Sequence, residues 1–152
     1  MSAQQAVMPE WQEFLAGNHV AVMAVASDED RPPLAVPVWY HYEPGGMLTF
    51  FTGTQGRVAR KTRLIRKANV LSMVVQNESP PYRSISVECR VESIDAAPGA
   101  DQVLAIVRRY LPEEHAQDFA ASEVNQPDSP FVLFTLRPER WHTFGFDNPQ
   151  DG

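Results

Sequence analysis

Valines, aromatics and other apolar residues recur at every second position over much of this chain, in runs too short for long helices. Such alternation, cut by Pro/Gly-rich turns, predicts strands with one buried face. The first segment is different: PEWQEFLAG, residues 9–17, carries Trp11, Phe14 and Leu15 at helical spacing, with Pro9 suited to its first turn and Gly17 to its end. HVAVMAVAS (19–27) then reads as a strand, and the acidic SDEDRPP as a turn whose prolines block further pairing. In LAVPVWYHY (34–42), Val36, Val38, Tyr40 and Tyr42 alternate with Ala35, Pro37, Trp39 and His41. The N–H missing at Pro37 predicts an edge, a bulge or an interruption there. Glu43-Pro44-Gly45-Gly46 is a tight turn, and MLTFFTG (47–53) returns antiparallel.

RVARKTRLIRKA (57–68) follows the polar Thr54-Gln55-Gly56 and predicts a helix, after which NVLSMVVQN (69–77) resumes the strand pattern. NESPP makes a turn. YRSISVECRVESI (82–94) alternates most regularly, with Ile85, Val87, Cys89 and Val91 on one face. Two helical segments follow, DAAPGADQVLAIVRRYL (95–111) and PEEHAQDFAAS (112–122), then the loop NQPDSP and a closing strand, FVLFTLRPERWHTFGF (131–146), interrupted at Pro138. Six short strands with hairpin-length connections predict a mainly β, α+β fold: an antiparallel barrel flanked by helices, built as one domain over residues 1–152.

Charge adds one feature to this picture. The chain has a formal net charge of -6 and a pI near 5.1, yet six of its 13 Lys and Arg residues lie between Arg57 and Lys67. On a helical projection Val58, Thr62 and Ile65 form the stripe facing the sheet. Arg57 and Lys61 fall beside that stripe with Leu64 and Ala68, whereas Arg60, Arg63 and Lys67 lie on the opposite side. A cation placed against apolar surface needs a partner, and a helix start favours an anion. Arg57 and Lys61, with the hydroxyls of Thr52 and Thr54, therefore form a candidate phosphate site. A solvated basic face accounts equally well for Arg60, Arg63 and Lys67.

The remaining chemistry is sparse. Cys89 is the one cysteine, so no intramolecular disulfide forms. The four histidines lack zinc-ligand spacing, and the acidic composition argues against general nucleic-acid binding. No apolar run approaches the ~18 residues of a membrane helix, and the N-terminal MSAQQAVMPEWQEF does not read as a secretory signal. A cytoplasmic protein is expected. No nucleophile motif such as GxSxG is present either.

The order VPVWYHYEPGGMLTFFTGTQGRVARKTRLIRKANVLSMVV, with LRPERWHTFGF closing the chain, resembles the flavin-binding split-barrel superfamily. That group includes the pyridoxamine 5'-phosphate oxidase-like proteins and the deazaflavin-dependent reductases. The resemblance implies a six-stranded split β-barrel that forms a homodimer with shared cofactor sites. It also implies FMN or coenzyme F-420 as cofactor, held at the phosphate by Arg57 and Lys61 with Thr52 and Thr54 nearby. Pro37, Val38 and Trp39 would line the ring, and Trp141 or Phe144 of the second subunit would cover it. The implied function is hydride transfer between that cofactor and a small conjugated substrate, with Tyr40, His41 and Tyr82 as candidate proton donors. Two other readings stay open: a cofactor carrier without turnover, and a haem-binding barrel ligated by His41 or His142. Oxidation of pyridoxamine phosphate itself would need a second phosphate site, for which only Arg83 and the Arg108–Arg109 pair are candidates.

Overall fold

The computed structural model describes residues 8–53, 60–124 and 131–145. Thr54, Arg57 and Val58, the first of them in the expected turn and the others in the expected first turn of the basic helix, lie outside these residues. Eleven elements follow one another: α1 (Pro9–Ala16), β1 (Ala21–Val25), β2 (Leu34–Val38), β3 (Tyr40–Tyr42), β4 (Leu48–Gly53), α2 (Arg60–Ala68), β5 (Val70–Gln76), β6 (Arg83–Asp95), α3 (Ala100–Val107), α4 (Glu113–Val124) and β7 (Phe131–Gly145). All seven strands belong to one antiparallel sheet in the order β2-β1-β5-β6-β7-β4-β3. The first and last strands of that order, β2 and β3, are separated in sequence only by Trp39. The sheet therefore curls until its two edges are tied by a single residue, which makes a split barrel.

The count is seven strands rather than the expected six because the 34–42 run divides, and it divides at Trp39 instead of Pro37. Pro37 stays in register opposite Val22, which is tolerable because β2 is an edge strand that needs no N–H on its outer side. At the break, the Tyr40 N–H leaves the ladder and donates to the Tyr110 hydroxyl oxygen at 3.1 Å. Pro138 also fails to interrupt its strand. It pairs with Cys89, while Glu88 pairs with Arg140, so Glu139 is the extra residue of a β-bulge. The first helix of the late pair spans 100–107, shorter than the expected 95–111.

Two apolar cores result. The larger fills the curl of the sheet: Met23, Tyr40, Phe50, Met73, Ile85, Val87 and Phe134 are fully buried there, and Trp11 and Leu15 of α1 pack among them. The predicted inner face of β6 is buried as expected, and the Cys89 thiol, pushed up to about 12 by burial, is unreactive. The smaller core lies on the outer side, where Val103 and Val107 of α3 and Ala116 and Ala120 of α4 meet Phe131, Phe51 and Trp39. None of the helices described is long and apolar enough to cross a membrane.

Position and orientation of α2 follow from three contacts. Leu64 and Ile65 bury its inner face. Asn69 ends it in the left-handed region (φ 62), where asparagine is tolerated, and its N–H donates to the Ile65 carbonyl at 2.8 Å. On the outer side Arg63 forks onto both carboxylate oxygens of Asp28 at 3.1 and 3.2 Å, and Arg60 donates to the Ser27 hydroxyl. The face that the sequence leaves to solvent is thus partly engaged by the turn after β1. Arg63 lowers the Asp28 carboxyl pKa through this pair.

Burial holds the His19 and His41 imidazoles below their ordinary value of 6.5. An unfolded chain takes up those protons first, so stability is full above about pH 7 and falls as pH drops through the unfolded value. The urea midpoint should decline between pH 7.5 and 5.5, and the His19→Gln/His41→Gln variant should flatten that decline. The Tyr40 hydroxyl, fully buried, donates to the Leu15 carbonyl. Tyr40→Phe should cost about 1–3 kcal/mol by leaving that carbonyl unpaired, read as a lower thermal midpoint.

Candidate functional site

A strand edge carries unpaired N–H and C=O groups that demand a partner. Here β2 is hydrogen-bonded to β1 alone, and β3 pairs with β4 only as far as Phe50. The Phe51–Gly53 end of β4 keeps its ladder with β7 on one side but has no strand on the other among the described residues. The split of the barrel thus sets two strand edges near one another without joining them. A cleft of about 430 Å³ opens at this point, lined by Val20, Pro37, Val38, Trp39, Phe51, Thr52, Gly53, Lys61, Phe119 and Phe131.

The chemistry of the lining is divided. Trp39, Phe51, Phe119 and Phe131 give the cleft aromatic walls; Phe51 and Phe131 meet edge to face at 4.8 Å, and Phe119 lies 5.8 Å from Phe131. Gly53 permits the close approach of the last ring, because a Cβ there would stand 3.2 Å from Phe131 Cε1. Against these apolar groups stand one cation and one hydroxyl. Lys61, in the first turn of α2, is half-buried and has no carboxylate partner among the described residues. Thr52 is 3% exposed, and its Oγ1 is buried without a hydrogen-bond partner among the described residues. An orphaned buried hydroxyl costs about 1–3 kcal/mol. Next to an unpaired ammonium it is a donor waiting for an anionic or carbonyl oxygen.

Five of the nine cofactor-site candidates, Pro37, Val38, Trp39, Thr52 and Lys61, line this one cleft. Thr54 and Arg57 lie outside the described residues. Trp141 and Phe144 do not line it: Trp141 points inward and meets Tyr42 edge-on at 6.1 Å, while Phe144 is exposed on the outer face of β7. None of the proton-donor candidates reaches the cleft within its own chain. Tyr40 is committed to the inner core, and desolvation raises its pKa further above 10, the wrong direction for a proton donor at neutral pH. His41 sits on β3 with Glu43 3.9 Å away, and Tyr82 is exposed next to the Pro80–Pro81 turn. Lys61 is the single titratable side chain of the lining among the described residues.

Sequence reasoning missed Val20, Phe51, Gly53, Phe119 and Phe131. Phe51 and Gly53 flank Thr52 and were legible as neighbours. Phe119 and Phe131 reach the cleft only because the α3–α4 pair folds over the outer side of β4 and β7, which no local pattern signals. Of the three arginines considered for a second phosphate site, Arg83 lies over the Trp11 ring at 5.8 Å, away from the cleft lining, and the other two are otherwise occupied. Arg108 pairs with Glu113 at 2.7 Å, and Arg109 donates to the carbonyls of Ala16 and Gly17 at 3.0 and 2.6 Å.

The fold is shared with solved structures. An F420 reductase superposes with a TM-score of 0.68 at 23% identity, over 89% of this chain and 98% of that one. A FAD-binding protein from Mesorhizobium loti gives 0.56 at 21% identity, over 88% and 89% of the two chains. The haem storage protein HutZ from Vibrio cholerae gives 0.62 at 19%, over 95% of both. No curated protein matches the sequence. The family model described as pyridoxamine 5'-phosphate oxidase matches residues 9–140. With that match over most of its length, and the split barrel to go with it, the chain belongs to the pyridoxamine 5'-phosphate oxidase-like, flavin-binding split-barrel proteins.

Proposed function

We propose that the cleft binds the phosphate-bearing coenzyme FMN or F-420 and that the protein is an oxidoreductase for a small conjugated substrate. One observation carries this reading: the unpartnered Thr52 hydroxyl and the unpaired Lys61 ammonium share a cleft with four aromatic side chains. A planar ring with an anionic arm satisfies both halves. Lys61 and Thr52 would hold phosphate oxygens, as charge-assisted donors. The free edges of β2 and β4 offer backbone N–H and C=O groups to the polar rim of the ring, with Trp39 and Phe51 against its apolar part. When bound, the ring supplies the hydride chemistry. The chain then orients cofactor and substrate and excludes water. Among the described residues the lining has no carboxylate or imidazole to donate a proton, so on this reading solvent or a second subunit supplies it. A cytoplasmic location belongs to the same reading, and the single buried Cys89 thiol is compatible with it.

Homodimerisation belongs to the same proposal. Pro37, on the cleft wall, lies in register with Val22, and Val22 with Val74, so an apolar row runs across the outer face from the cleft rim. Val22 and Val70 are 41% and 44% exposed on that face. A second copy laid on this row would also reach the cleft, and could bring Phe144 or Tyr82 to it. The haem reading has weaker support: His41 is half-exposed beside Glu43, and His142 is exposed and bound to Glu88 at 2.7 Å, so neither offers an axial nitrogen in an apolar pocket.

Titration with FMN, coenzyme F-420 and haem, followed by fluorescence and absorbance, tests the cofactor class. One of the two flavin-type ligands should bind, and Lys61→Ala should weaken it roughly ten- to hundredfold, about 1.4–2.8 kcal/mol. Thr52→Val should cost less, about threefold. Binding of haem alone would overturn the proposal, as would equal affinities in wild type and Lys61→Ala. In light-scattering mass measurements the protein should run as a dimer, and Val22→Asp should yield monomers with weakened cofactor binding. A monomeric wild-type mass would remove the shared site.

A further inference from the structure

Trp39 is a wall of the cleft that the sheet itself does not hold. It is the one residue between β2 and β3 and has no register partner in either ladder. Its indole is instead stacked on Tyr110, with ring centres 4.9 Å apart and planes 6° from parallel. Tyr110 lies in the turn that ends α3, where its N–H donates to the Val107 carbonyl at 3.0 Å.

The phenol oxygen does more than complete a stack. It donates to the His19 carbonyl at 2.7 Å and accepts the Tyr40 N–H at 3.1 Å. His19 immediately precedes Val20, and Tyr40 immediately follows Trp39; Val20 and Trp39 both line the cleft. One oxygen thus ties together the two chain segments that flank its mouth. Tyr110 is itself held from behind. The Arg109 guanidinium lies 6.0 Å from its ring centre and 5.2 Å from that of Tyr40, while donating to the Ala16 and Gly17 carbonyls at the end of α1.

We propose that Tyr110 is a positioning residue, which fixes the plane of Trp39 as a cleft wall and through Trp39 alone sets the affinity of the cleft for a planar ring. The affinity half rests on the cofactor reading above; the clamp on Trp39 does not. Stacking of this kind contributes beyond area burial because offset rings align their quadrupoles. Preorganising a wall before binding removes an ordering cost from the ligand. A merely structural Tyr110 would lower stability when replaced and leave Trp39 and ligand affinity uncoupled.

The test uses the full chain, uniformly 15N-labelled, with the Trp39 indole signal assigned through Trp39→Phe and the Tyr40 amide assigned by backbone experiments. Tyr110→Leu should shift or broaden the Trp39 indole signal while those of Trp11 and Trp141 stay in place. Tyr110→Phe keeps the stack but loses the oxygen, so it should leave the Trp39 signal close to wild type and speed hydrogen exchange at the Tyr40 amide. Whichever of FMN and coenzyme F-420 the wild type binds should bind Tyr110→Leu at least tenfold more weakly. In a Trp39→Ala background the same change should cost less than twofold, since double-mutant cycles isolate the coupling. An unmoved Trp39 signal in Tyr110→Leu overturns the clamp, and an equal affinity loss in both backgrounds overturns its action through Trp39. If Tyr110→Leu does not fold, Tyr110→Phe decides: unchanged Tyr40 amide exchange overturns the tie across the cleft mouth. Failure of the wild type to bind either ring sinks the cofactor reading and the affinity half with it, and the indole signals then decide the clamp by themselves.

Discussion

Everything about this molecule that bears on function depends on a sheet that does not close. Closing a barrel requires strand number, tilt and stagger to agree. In this chain the two edge strands are successive in sequence and are joined through one residue, Trp39. That short tie brings β2 round to β4 but leaves no room for a ladder between them. The unpaired backbone groups become a resource for binding instead of a liability. The same break exposes the indole of Trp39 to the cleft and hands the Tyr40 N–H to a side chain. Site and barrel are therefore one feature.

Holding such a split open needs support from outside the sheet, and the helices provide it from three directions. Helix α2 is tied to the turn after β1 by Arg63 on Asp28, which brings Lys61 to the cleft. That pair is exposed and worth little as energy; its bidentate geometry contributes orientation. The α3–α4 pair covers the outer side of β4 and β7 and supplies Phe119. Helix α1 plugs the inner core with Trp11 and Leu15 and presents its last carbonyls to Arg109. The two basic patches of the sequence thus serve different ends. Of the α2 cations, Arg60 and Arg63 anchor the helix to Ser27 and Asp28 while Lys61 faces the cleft, whereas Arg108 and Arg109 are consumed by the architecture.

What could be read in advance follows from how local each cause is. Alternation depends only on neighbours two residues apart: in 82–94 it gave the correct buried face, with Ile85, Val87, Cys89 and Val91, and in 34–42 it separated Val38 and Tyr40 from Trp39 without saying which set is buried. The position of the strand break was not local. Pro37 looks like the weak point because it lacks an N–H, yet an edge strand absorbs that loss; the break falls at Trp39 because Tyr110, 70 residues away from Tyr40, takes its N–H. Pro138 misleads for a similar reason, since a bulge at Glu139 lets the strand continue past it. The helical projection singled out Arg57 and Lys61 from the other cations because amphipathicity is also a local property; Lys61 lines the cleft, and Arg57 lies outside the described residues. It could not foresee Phe119 or Phe131, whose place depends on how a distant helix pair docks.

Tyr40 shows how a residue type can point the wrong way. A tyrosine beside a suspected cofactor wall invites the role of proton donor, and the alternation that placed Trp39 outward placed Tyr40 inward by the same rule. Burial then raises its pKa and its hydroxyl is spent on the Leu15 carbonyl. A donor at the cleft must approach from the opposite face of the strand, from the covering helices, or from another subunit. Among the described residues Lys61 is the sole titratable group of the lining, and the phosphate reading requires it charged and engaged. Under the proposed reading, proton delivery therefore falls to water at the open mouth or to side chains outside these residues. On that reading the work is divided: the described lining supplies the polar hold and the aromatic walls, and the acid comes from beyond them.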